Sequence, residues 1–407
     1  MWIPSSVFRR KNILLGVSGS IAAFKACNVA SSLAKCDAHV RTVLTQSALR
    51  FVGPVSFISL TNDVAYTDED LWNMKLRSLH IELGRWSDVI VVAPATANTL
   101  AKIANGIADN LLTSIVLGSD KPLVVVPAMN VRMYENKATQ ENLSKLRDHG
   151  VVVVEPEIGH LADGEVGKGR FPEVEPILFS VAKTLVPQDM AGMRVLVTAG
   201  PTREYIDDVR FISNPSSGKM GYALAEACAL RGAEVTLLSG PVNLDVPPGV
   251  KLLTFESVAD LERLMDQTVP SCHAVLMAAA VGDFTTSKVA GKMKRQGNLE
   301  LTLQATPDVI AKYTQKYPNV FYLAFAAGTD GVVEEAREKL ARKQVDAIFA
   351  NRIDEENTGF GVDTNSGWLI NKNTTEEAPL QSKVDLSWWL SERIICQIRA
   401  KSETFQS

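Results

Sequence analysis

The segment Asn12–Lys35 reads NILLGVSGSIAAFKACNVASSLAK. It begins with an apolar run, turns at a cluster of glycine and serine, and continues with apolar residues at helical spacing. This order predicts a buried β-strand followed by an amphipathic helix. Because short apolar strands joined to helices are typical of parallel sheets covered on both faces, the segment indicates an α/β fold.

The same alternation recurs along the chain. The runs HVRTVLTQ, DVIVVAPAT, PLVVVPAMN and GVVVVEPE predict further strands, and we expect the last of them, at 151–156, to be buried. After a polar segment near 186–192, a second set begins at Arg194 and includes EVTLLSG, AVLMAAAV, VFYLAFAA and DAIFANR. Since 407 residues exceed what one hydrophobic core usually serves, we predict two α/β domains in tandem, residues 1–188 and 189–407.

Composition excludes several functional classes. The net charge of −4 argues against a global electrostatic attraction to nucleic acid or to an anionic membrane. The five cysteines are scattered without a CxxC pair, which argues against a disulfide framework or a zinc site. No apolar run approaches the ~20 residues of a spanning helix, so we expect a cytoplasmic protein without a membrane partner.

Polar residues follow several strands of the first half. The turn GVSGSIAAFKA at 16–26 could bring backbone amides to a phosphate, or it could be a plain tight turn, because its spacing is neither GxGxxG nor a P-loop. Thr96 and Asn98 could cap the next helix. Asn130 follows a strand end, where ligands of open α/β sheets bind, and His80 taken alone is more often structural than catalytic.

Together these segments resemble the flavin-dependent decarboxylases that act on 4'-phosphopantothenoylcysteine. The matching pieces are GVSGSIAAFKA, the LHIxL segment around His80, APATANTLAKIANGIADNLL, PAMN and GxLAxGxxGxGRxPE. The resemblance implies a flavodoxin-like doubly wound sheet that binds FMN, with His80 as the catalytic histidine and Asn130 holding the substrate carboxylate. The implied FMN-lining residues are Ser18, Gly19, Ser20, Thr45, Thr96 and Asn98.

The segment LADGEVGKGR at 161–170 matches a mobile lid of that family, and this sequence departs from the family there. The family has a proton-donating cysteine where this chain has Asp163. A carboxylic acid whose pKa is raised under a lid can donate that proton. A carboxylate would instead repel an enethiolate and stall the final reduction. Both outcomes stay open from the sequence.

The second half carries its own pattern of strand ends and polar loops. The segment NPSSGKMG at 214–221 precedes a helix and predicts an anion-binding nest that includes Lys219. Asp283 follows a small-residue strand end, and a basic loop with Lys288 and Lys292 comes next. Such a loop is usually only solvated surface, but its position after a strand end that also offers Asp283 favours polyphosphate binding.

This half resembles the phosphopantothenate–cysteine ligases through AGPTREYIDDVRFISNPSSGKMG, AAAVGDF, GKMK, TPDVI, KLARKQVDAIFANR and NTGFGVDTN. With the first half, the chain resembles the bacterial bifunctional family of coenzyme A biosynthesis. The second resemblance implies a Rossmann-like α/β ligase domain in which CTP activates the pantothenate carboxylate before cysteine attacks, with Mg²⁺ at the phosphates. It implies that Lys292 stabilises the acyl-cytidylate and that Asn214 and Arg210 bind this pantothenate intermediate. The implied CTP-binding residues are Met277, Ala278, Ala279, Asp283, Lys292, Pro307, Asp308, Val309, Ile310, Phe325, Lys339 and Lys343.

Further expectations concern a departure from the family sequence and the oligomeric state. The family commonly reads GFAAET where this chain has Ala324 and Gly328, and the lost glutamate could weaken magnesium binding. The resemblance implies a trimeric flavin half with shared active sites, a dimeric ligase half and hence a dodecamer.

One alternative function is a ligase whose flavin-binding half is an impaired scaffold because of Asp163. A generic NAD dehydrogenase is a weaker alternative, because its glycine fingerprint is missing.

Overall fold

A computed structural model of the chain describes residues 3–72, 78–160, 164–294, 299–328, 331–352, 359 and 361–403. The chain divides into two compact units, Ser5–Pro187 and Gln188–Ser407. The first unit has a parallel sheet and the second a mainly parallel one, each with its own buried core, and the predicted α/β class with two tandem domains is confirmed. No helix in the described part of the chain is long and apolar enough to cross a membrane.

The sheet of the first unit has six parallel strands in the order β3-β2-β1-β4-β5-β6. Val89–Ala95 is buried at every position, as expected for a central strand covered on both faces. The strand order reverses between β1 and β4, which places a crevice at their carboxyl ends. The strands are β1 Asn12–Val17, β2 His39–Leu44, β3 Ala65–Thr67, β4 Val89–Ala95, β5 Leu123–Pro127 and β6 Val152–Val153.

Helices and one hairpin complete the first unit. The helices are α1 Ala23–Lys35, α2 Pro54–Thr61, α3 Leu79–Trp86, α4 Ala97–Ala104, α5 Leu111–Leu117, α6 Val131–Glu135, α7 Lys137–Asp148 and α8 Val174–Leu185, and the hairpin strands are β7 Glu157–His160 and β8 Val166–Arg170. Two expectations were wrong. The buried strand expected at 151–156 is only the two-residue, half-buried edge strand β6, because it has a neighbour on one side only. Half of the expected loop at 161–170 is strand, because β8 pairs antiparallel with β7.

The large sheet of the second unit has eight strands in the order β13-β12-β9-β14-β17-β18-β19-β20. All neighbours pair in parallel except β18–β19 and β19–β20, which are antiparallel. The order reverses between β9 and β14, so a second crevice opens at their carboxyl ends. The strands are β9 Arg194–Ala199, β10 Arg203–Tyr205, β11 Phe211–Ser213, β12 Glu234–Ser239, β13 Val250–Thr254, β14 Ala274–Met277, β15 Phe284–Thr285, β16 Gln304–Ala305, β17 Phe321–Gly328, β18 Ala347–Arg352, β19 Thr364–Asn371 and β20 Thr375–Ser382.

The helices of the second unit are α9 Lys219–Leu230, α10 Val258–Thr268, α11 Val309–Lys316, α12 Val332–Lys343 and α13 Lys383–Glu403. Helix α9 packs against the sheet on one side and α13 on the other, so every residue from Gly221 to Leu230 is buried. This burial includes Glu226, which is 2% exposed and whose Oε2 has no hydrogen-bond partner among the described residues. Burial raises the pKa of the Glu226 carboxyl to about 8.

Candidate active sites

A cavity of about 660 Å³ occupies the crevice of the second unit. It lies beyond the carboxyl ends of β14, β17 and β18 and is bounded by the segment Asn214–Met220, which leads into α9. This is the position where open α/β sheets bind their ligands. The cavity is lined by these residues of the implied CTP and pantothenate site: Asn214, Met277, Ala278, Ala279, Asp283, Pro307, Asp308, Val309, Ile310, Phe325, Lys339 and Lys343.

Backbone tethers fix the wall of this cavity that follows β14. The amide of Ala279 donates to Thr198 Oγ1 at 3.1 Å, and the amide of Gly282 donates to Thr202 Oγ1 at 2.9 Å. Asn214 Nδ2 donates to the carbonyls of Ala280 at 3.4 Å and Val281 at 3.2 Å. Asn214 therefore joins the loop before α9 to the strand end that faces it. Sequence reasoning missed both threonines, because Thr198 precedes the matched motif AGPTREYIDDVRFISNPSSGKMG and Thr202 lies within it without an assigned role.

Other residues that line the cavity form ion pairs. Lys343 Nζ lies 3.1 Å from Asp308 Oδ2, and Lys339 Nζ lies 2.6 Å from Glu335 Oε1. Asp308 also caps α11, because its Oδ1 accepts from the amide of Ala311 at 3.3 Å. Both lysines are about a quarter exposed, so they are held at the cavity surface and remain open to an anionic ligand.

Arg210 and Lys292 do not line the cavity, and two acids hold the loop that carries Lys292. The amide of Gly291 donates to Asp208 Oδ2 at 2.8 Å, and the amide of Met293 donates to Asp207 Oδ2 at 3.1 Å. These bonds fix the backbone on both sides of Lys292, whose side chain is exposed. Arg210 joins the same network by donating to Asp207 Oδ2 at 2.6 Å and to the Met293 carbonyl at 3.3 Å.

Asp207 is the centre of this network and is completely buried. Burial works to raise the pKa of its carboxyl, but hydrogen bonds from the amides of Val209, Arg210 and Met293 outweigh burial and lower the pKa to about 2. The pKa of Asp208 is lowered chiefly by its hydrogen bond with Lys288. Both acids are therefore ionised acceptors at neutral pH. The sequence shows them only as part of a matched motif, without a role.

In the first unit, the implied flavin residues lie at the carboxyl ends of neighbouring strands. Ser18 follows β1 and is buried; its Oγ donates to the Pro94 carbonyl at 2.7 Å and accepts from the Thr96 amide at 3.0 Å. Thr96 caps α4, as predicted, by accepting from the Thr99 amide. Asn98 is instead an exposed residue of the first turn of α4 and makes no cap.

Two further residues of this set lie beside the β1 turn. Thr45 is buried at the end of β2, and its amide donates to the Val17 carbonyl at 3.1 Å. Gly19 packs so closely against Ser47 that an added Cβ would lie 2.4 Å from the Ser47 Cβ. The turns after β1, β2 and β4 are therefore built from small residues at the strand ends, which is where open α/β sheets bind phosphate groups. Ser20 lines the adjoining cavity described next.

Asn130 lines a cavity of about 390 Å³ next to these turns. It caps α6, because its Oδ1 accepts from the Arg132 amide at 2.7 Å, and its Nδ2 donates to Glu165 Oε2 at 3.0 Å. Strand β8 adjoins the same loop: the amide of Met129 donates to the Gly169 carbonyl at 3.1 Å. Glu165 and Gly169 belong to the segment that matches the family lid, so the described part of that segment, 164–170, contacts Asn130 and Met129. Asp163 lies outside the described residues.

His80 does not line the Asn130 cavity. It is the second residue of α3 and lies beside Gly118, which follows α5. Its Nδ1 is buried and has no hydrogen-bond partner among the residues that the structure describes. The single chain therefore does not bring His80 and Asn130 together in one cavity, although the resemblance implies that they act on one substrate.

Comparisons with known proteins match both units. The family model described as "DNA/pantothenate metabolism flavoprotein C-terminal domain" matches residues 190–397, and the model described as "Flavoprotein" matches residues 3–186. The "Coenzyme A biosynthesis bifunctional protein CoaBC" of Bacillus subtilis is 42% identical over 95% of this chain and 97% of its own length. The protein of the same name from Haemophilus influenzae is 38% identical over 95% of this chain and 97% of its length. Among solved structures, a PPC decarboxylase mutant complexed with pantothenoylaminoethenethiol is 42% identical over 42% of this chain and 96% of that chain, with a TM-score of 0.39.

Proposed function

The chain belongs to the family of coenzyme A biosynthesis bifunctional proteins, as its motifs predicted, and we propose that it makes 4'-phosphopantetheine in two steps. The second unit ligates cysteine to 4'-phosphopantothenate at the expense of CTP. The first unit decarboxylates the resulting 4'-phosphopantothenoylcysteine with bound FMN. Because the product of the second unit is the substrate of the first, the two activities are consecutive steps of one pathway.

One observation carries the ligase proposal. The implied CTP and pantothenate residues other than Arg210 and Lys292 come from segments far apart in the sequence, and they all line the cavity at the carboxyl ends of the strands. In the proposed reaction, the pantothenate carboxylate attacks the α-phosphorus of CTP and pyrophosphate leaves. The cysteine amine then attacks the acyl-cytidylate, an amide bond forms, and CMP leaves. The activation is needed because a carboxylate is a poor electrophile.

Different residues bind CTP and stabilise the acyl-cytidylate in the proposed ligase reaction. Asp283, Phe325, Lys339 and Lys343 hold CTP with the backbone at 277–279 and 307–310. Asn214 and Arg210 serve the acyl-cytidylate, and Lys292 neutralises the charge that develops on it. We place Lys292 near the reacting atoms by way of its loop, whose backbone is fixed on both sides by Asp207 and Asp208.

Magnesium is part of the ligase proposal. The described residues hold no cluster of three or more side chains suited to a metal ion. The cavity offers the carboxylates of Asp283 and Asp308, and Mg²⁺ commonly binds through one or two carboxylates, substrate phosphates and water. The cavity thus fits a magnesium ion that enters with the triphosphate. The ion would neutralise phosphate charge and align the α-phosphorus for attack.

The decarboxylase proposal rests on the crevice of small residues around Ser18, Gly19 and Thr96, which fits a flavin phosphate. Bound FMN would supply the oxidant that converts the cysteinyl thiol to a thioaldehyde and the reductant that later restores the saturated thiol. Asn130 holds the substrate carboxylate by hydrogen bonding without the strength of a full ion pair, so the carboxylate is not overstabilised before it leaves as carbon dioxide. Asp163 supplies the last proton.

The assembly and the location complete the proposal. His80 lies outside the Asn130 cavity of its own chain, and this supports a trimeric flavin half in which a second copy supplies His80. With a dimeric ligase half, the assembly is a dodecamer that works in the cytoplasm. Analytical ultracentrifugation tests the assembly. A monomer that retains full decarboxylase activity would exclude the shared site.

A second candidate function follows from Asp163. A carboxylate at the position of the family cysteine favours a flavin-binding half that does not turn over, which leaves ligase activity alone. Purified protein distinguishes the two functions. Pyrophosphate release that requires CTP, phosphopantothenate and cysteine tests the ligase, and carbon dioxide release from 4'-phosphopantothenoylcysteine tests the decarboxylase. Protein that purifies without flavin absorbance would contradict both functions proposed for the first unit.

A further inference from the structure

Four lysines line the cavity of the second unit, and one of them differs from the others. Lys219, Lys339 and Lys343 each lie within 3.1 Å of a carboxylate oxygen, on Asp363, Glu335 and Asp308 respectively. Lys383 has no carboxylate within 4.0 Å of its Nζ among the described residues. Its ammonium donates to the Gly359 carbonyl at 3.0 Å.

Lys383 is also the most buried of these lysines, with 6% of its surface exposed. Burial lowers the pKa of its ammonium and the nearby Lys219 lowers it further, while the carboxylate of Asp363 works in the opposite direction. A buried cation is costly unless it is paired, and a neighbouring cation adds to the cost. A single carbonyl satisfies one of the three N–H donors of an ammonium. Among the described residues, the ammonium of Lys383 therefore has no anion in direct contact, because Asp363 pairs with Lys219 instead, and the cavity lies beside it.

The fold holds Lys383 in this position. It is the first residue of α13, its amide donates to the Asp363 carbonyl at 2.9 Å, and its own carbonyl accepts from Ser387 Oγ at 2.7 Å. Helix α13 packs against α9, whose first residue is Lys219. Two packed helices thus present one lysine each at the same end of the cavity, where the amino end of α9 also favours negative charge.

We infer that Lys383, together with Lys219, binds a phosphate group of a substrate in this cavity. The inference rests on the proposed ligase function and adds a residue that the family motifs did not mark. Two substrates of that reaction carry phosphate: CTP has a polyphosphate, and phosphopantothenate has a phosphate monoester. The chemistry of the site is the same for both, so the experiment must separate them.

The test compares three variants of the full chain in the ligase reaction. Lys383→Met removes the charge and keeps the apolar stem, and Lys383→Arg keeps the charge. Lys372→Met is the matched control, because Lys372 is exposed in the turn at the opposite end of the β19–β20 hairpin. Pyrophosphate release gives the KM for CTP, phosphopantothenate and cysteine, each with the other two substrates saturating.

We expect Lys383→Met to raise one KM by about 10- to 100-fold, as for loss of a hydrogen bond to a charged group. The KM for cysteine stays unchanged, Lys383→Arg recovers part of the loss, and the control matches wild type. A raised KM for CTP means that Lys383 binds the polyphosphate of CTP. A raised KM for phosphopantothenate means that Lys383 binds its phosphate monoester. If a folded Lys383→Met enzyme keeps all three KM values, or if all three rise together, the inference is wrong.

Two further measurements keep the outcome decisive. If Lys383→Met does not fold, Lys219→Met replaces it and must raise the KM of one phosphorylated substrate without affecting cysteine. If wild type itself releases no pyrophosphate, the proposed ligase function fails, and titration calorimetry with inorganic pyrophosphate then tests the site alone. Equal affinity of wild type and Lys383→Met for pyrophosphate would overturn the phosphate site in that case.

Discussion

The carboxyl of Glu226 should make the second unit less stable as pH rises, and we expect Glu226→Gln to remove this pH dependence. Glu226 lies in the middle of α9, is 2% exposed, and its pKa is raised from 4.5 to about 8 by burial. Glu226→Gln keeps the shape of the protonated side chain and cannot ionise. Glu226→Met also removes both polar oxygens, one of which has no partner among the described residues.

The sign of the effect follows from proton binding. Between pH 4.5 and about 8, the folded unit keeps the Glu226 proton and the unfolded chain has lost it. The free energy of unfolding therefore falls as pH rises through this window, by at most about 1.4 kcal/mol per pH unit, and the contribution is complete only below pH 4.5. Over the whole window the loss is on the order of 5 kcal/mol, as an upper bound. The glutamine variant does not suffer this loss.

Thermal unfolding of the full chain, followed by circular dichroism at pH 5, 6.5 and 8, measures the effect. We expect Glu226→Gln to resemble wild type at pH 5 and to be increasingly more stable towards pH 8. For a unit of this size each kcal/mol corresponds to about 2–4 °C, so the upper bound at pH 8 is roughly 10–20 °C. Glu338→Gln, which removes an exposed carboxyl of α12, is the control. A difference between Glu226→Gln and wild type that is the same at all three pH values would refute the reasoning.

Three other predictions concern the two sites. Asp207→Asn should lower the ligase kcat at least tenfold and leave the KM for CTP unchanged, because it loosens the loop of Lys292; it should also speed tryptic cleavage at that loop, and an unchanged cleavage rate would count against the role. Gly169→Ala should abolish carbon dioxide release and spare the ligase, since the new Cβ would lie 2.2 Å from the Met129 carbonyl oxygen beside Asn130; normal decarboxylation would show that the loop adapts. Mass analysis of the pantetheine product should give the saturated thiol from wild type and from Asp163→Cys alike, and an unsaturated product from wild type alone would mean that Asp163 does not donate the proton.

Local patterns in the sequence were sufficient for the class of fold, and the family resemblance predicted many of the residues that line the cavity of the second unit. Apolar runs followed by small polar turns predicted the strands β1, β2, β4 and β5 and the crevices at their ends. The capping role of Thr96 also followed from local order. These features depend on neighbouring residues, and periodicity records neighbouring residues directly.

Some local expectations failed where pairing partners matter. The apolar run at 151–156 was expected to be a buried strand, but it lies at the sheet edge with one neighbour and forms only two residues of strand. The glycine-rich segment after it was expected to be a loop, but β7 supplies the partner that makes Val166–Arg170 a strand. Strand formation needs a second segment, which a single run of residues does not reveal.

The amino-acid sequence alone therefore identified the family and the two α/β units, and it predicted residues for CTP and flavin chemistry. The tertiary structure was needed to show that Asp207 fixes the loop of Lys292, that Glu226 is shielded from water, and that Lys383 meets Lys219 in the cavity. The physical reason is that burial and charge pairing depend on which helices pack together. The contact of α13 with α9 joins residues far apart in the sequence, and no periodicity within either helix encodes it.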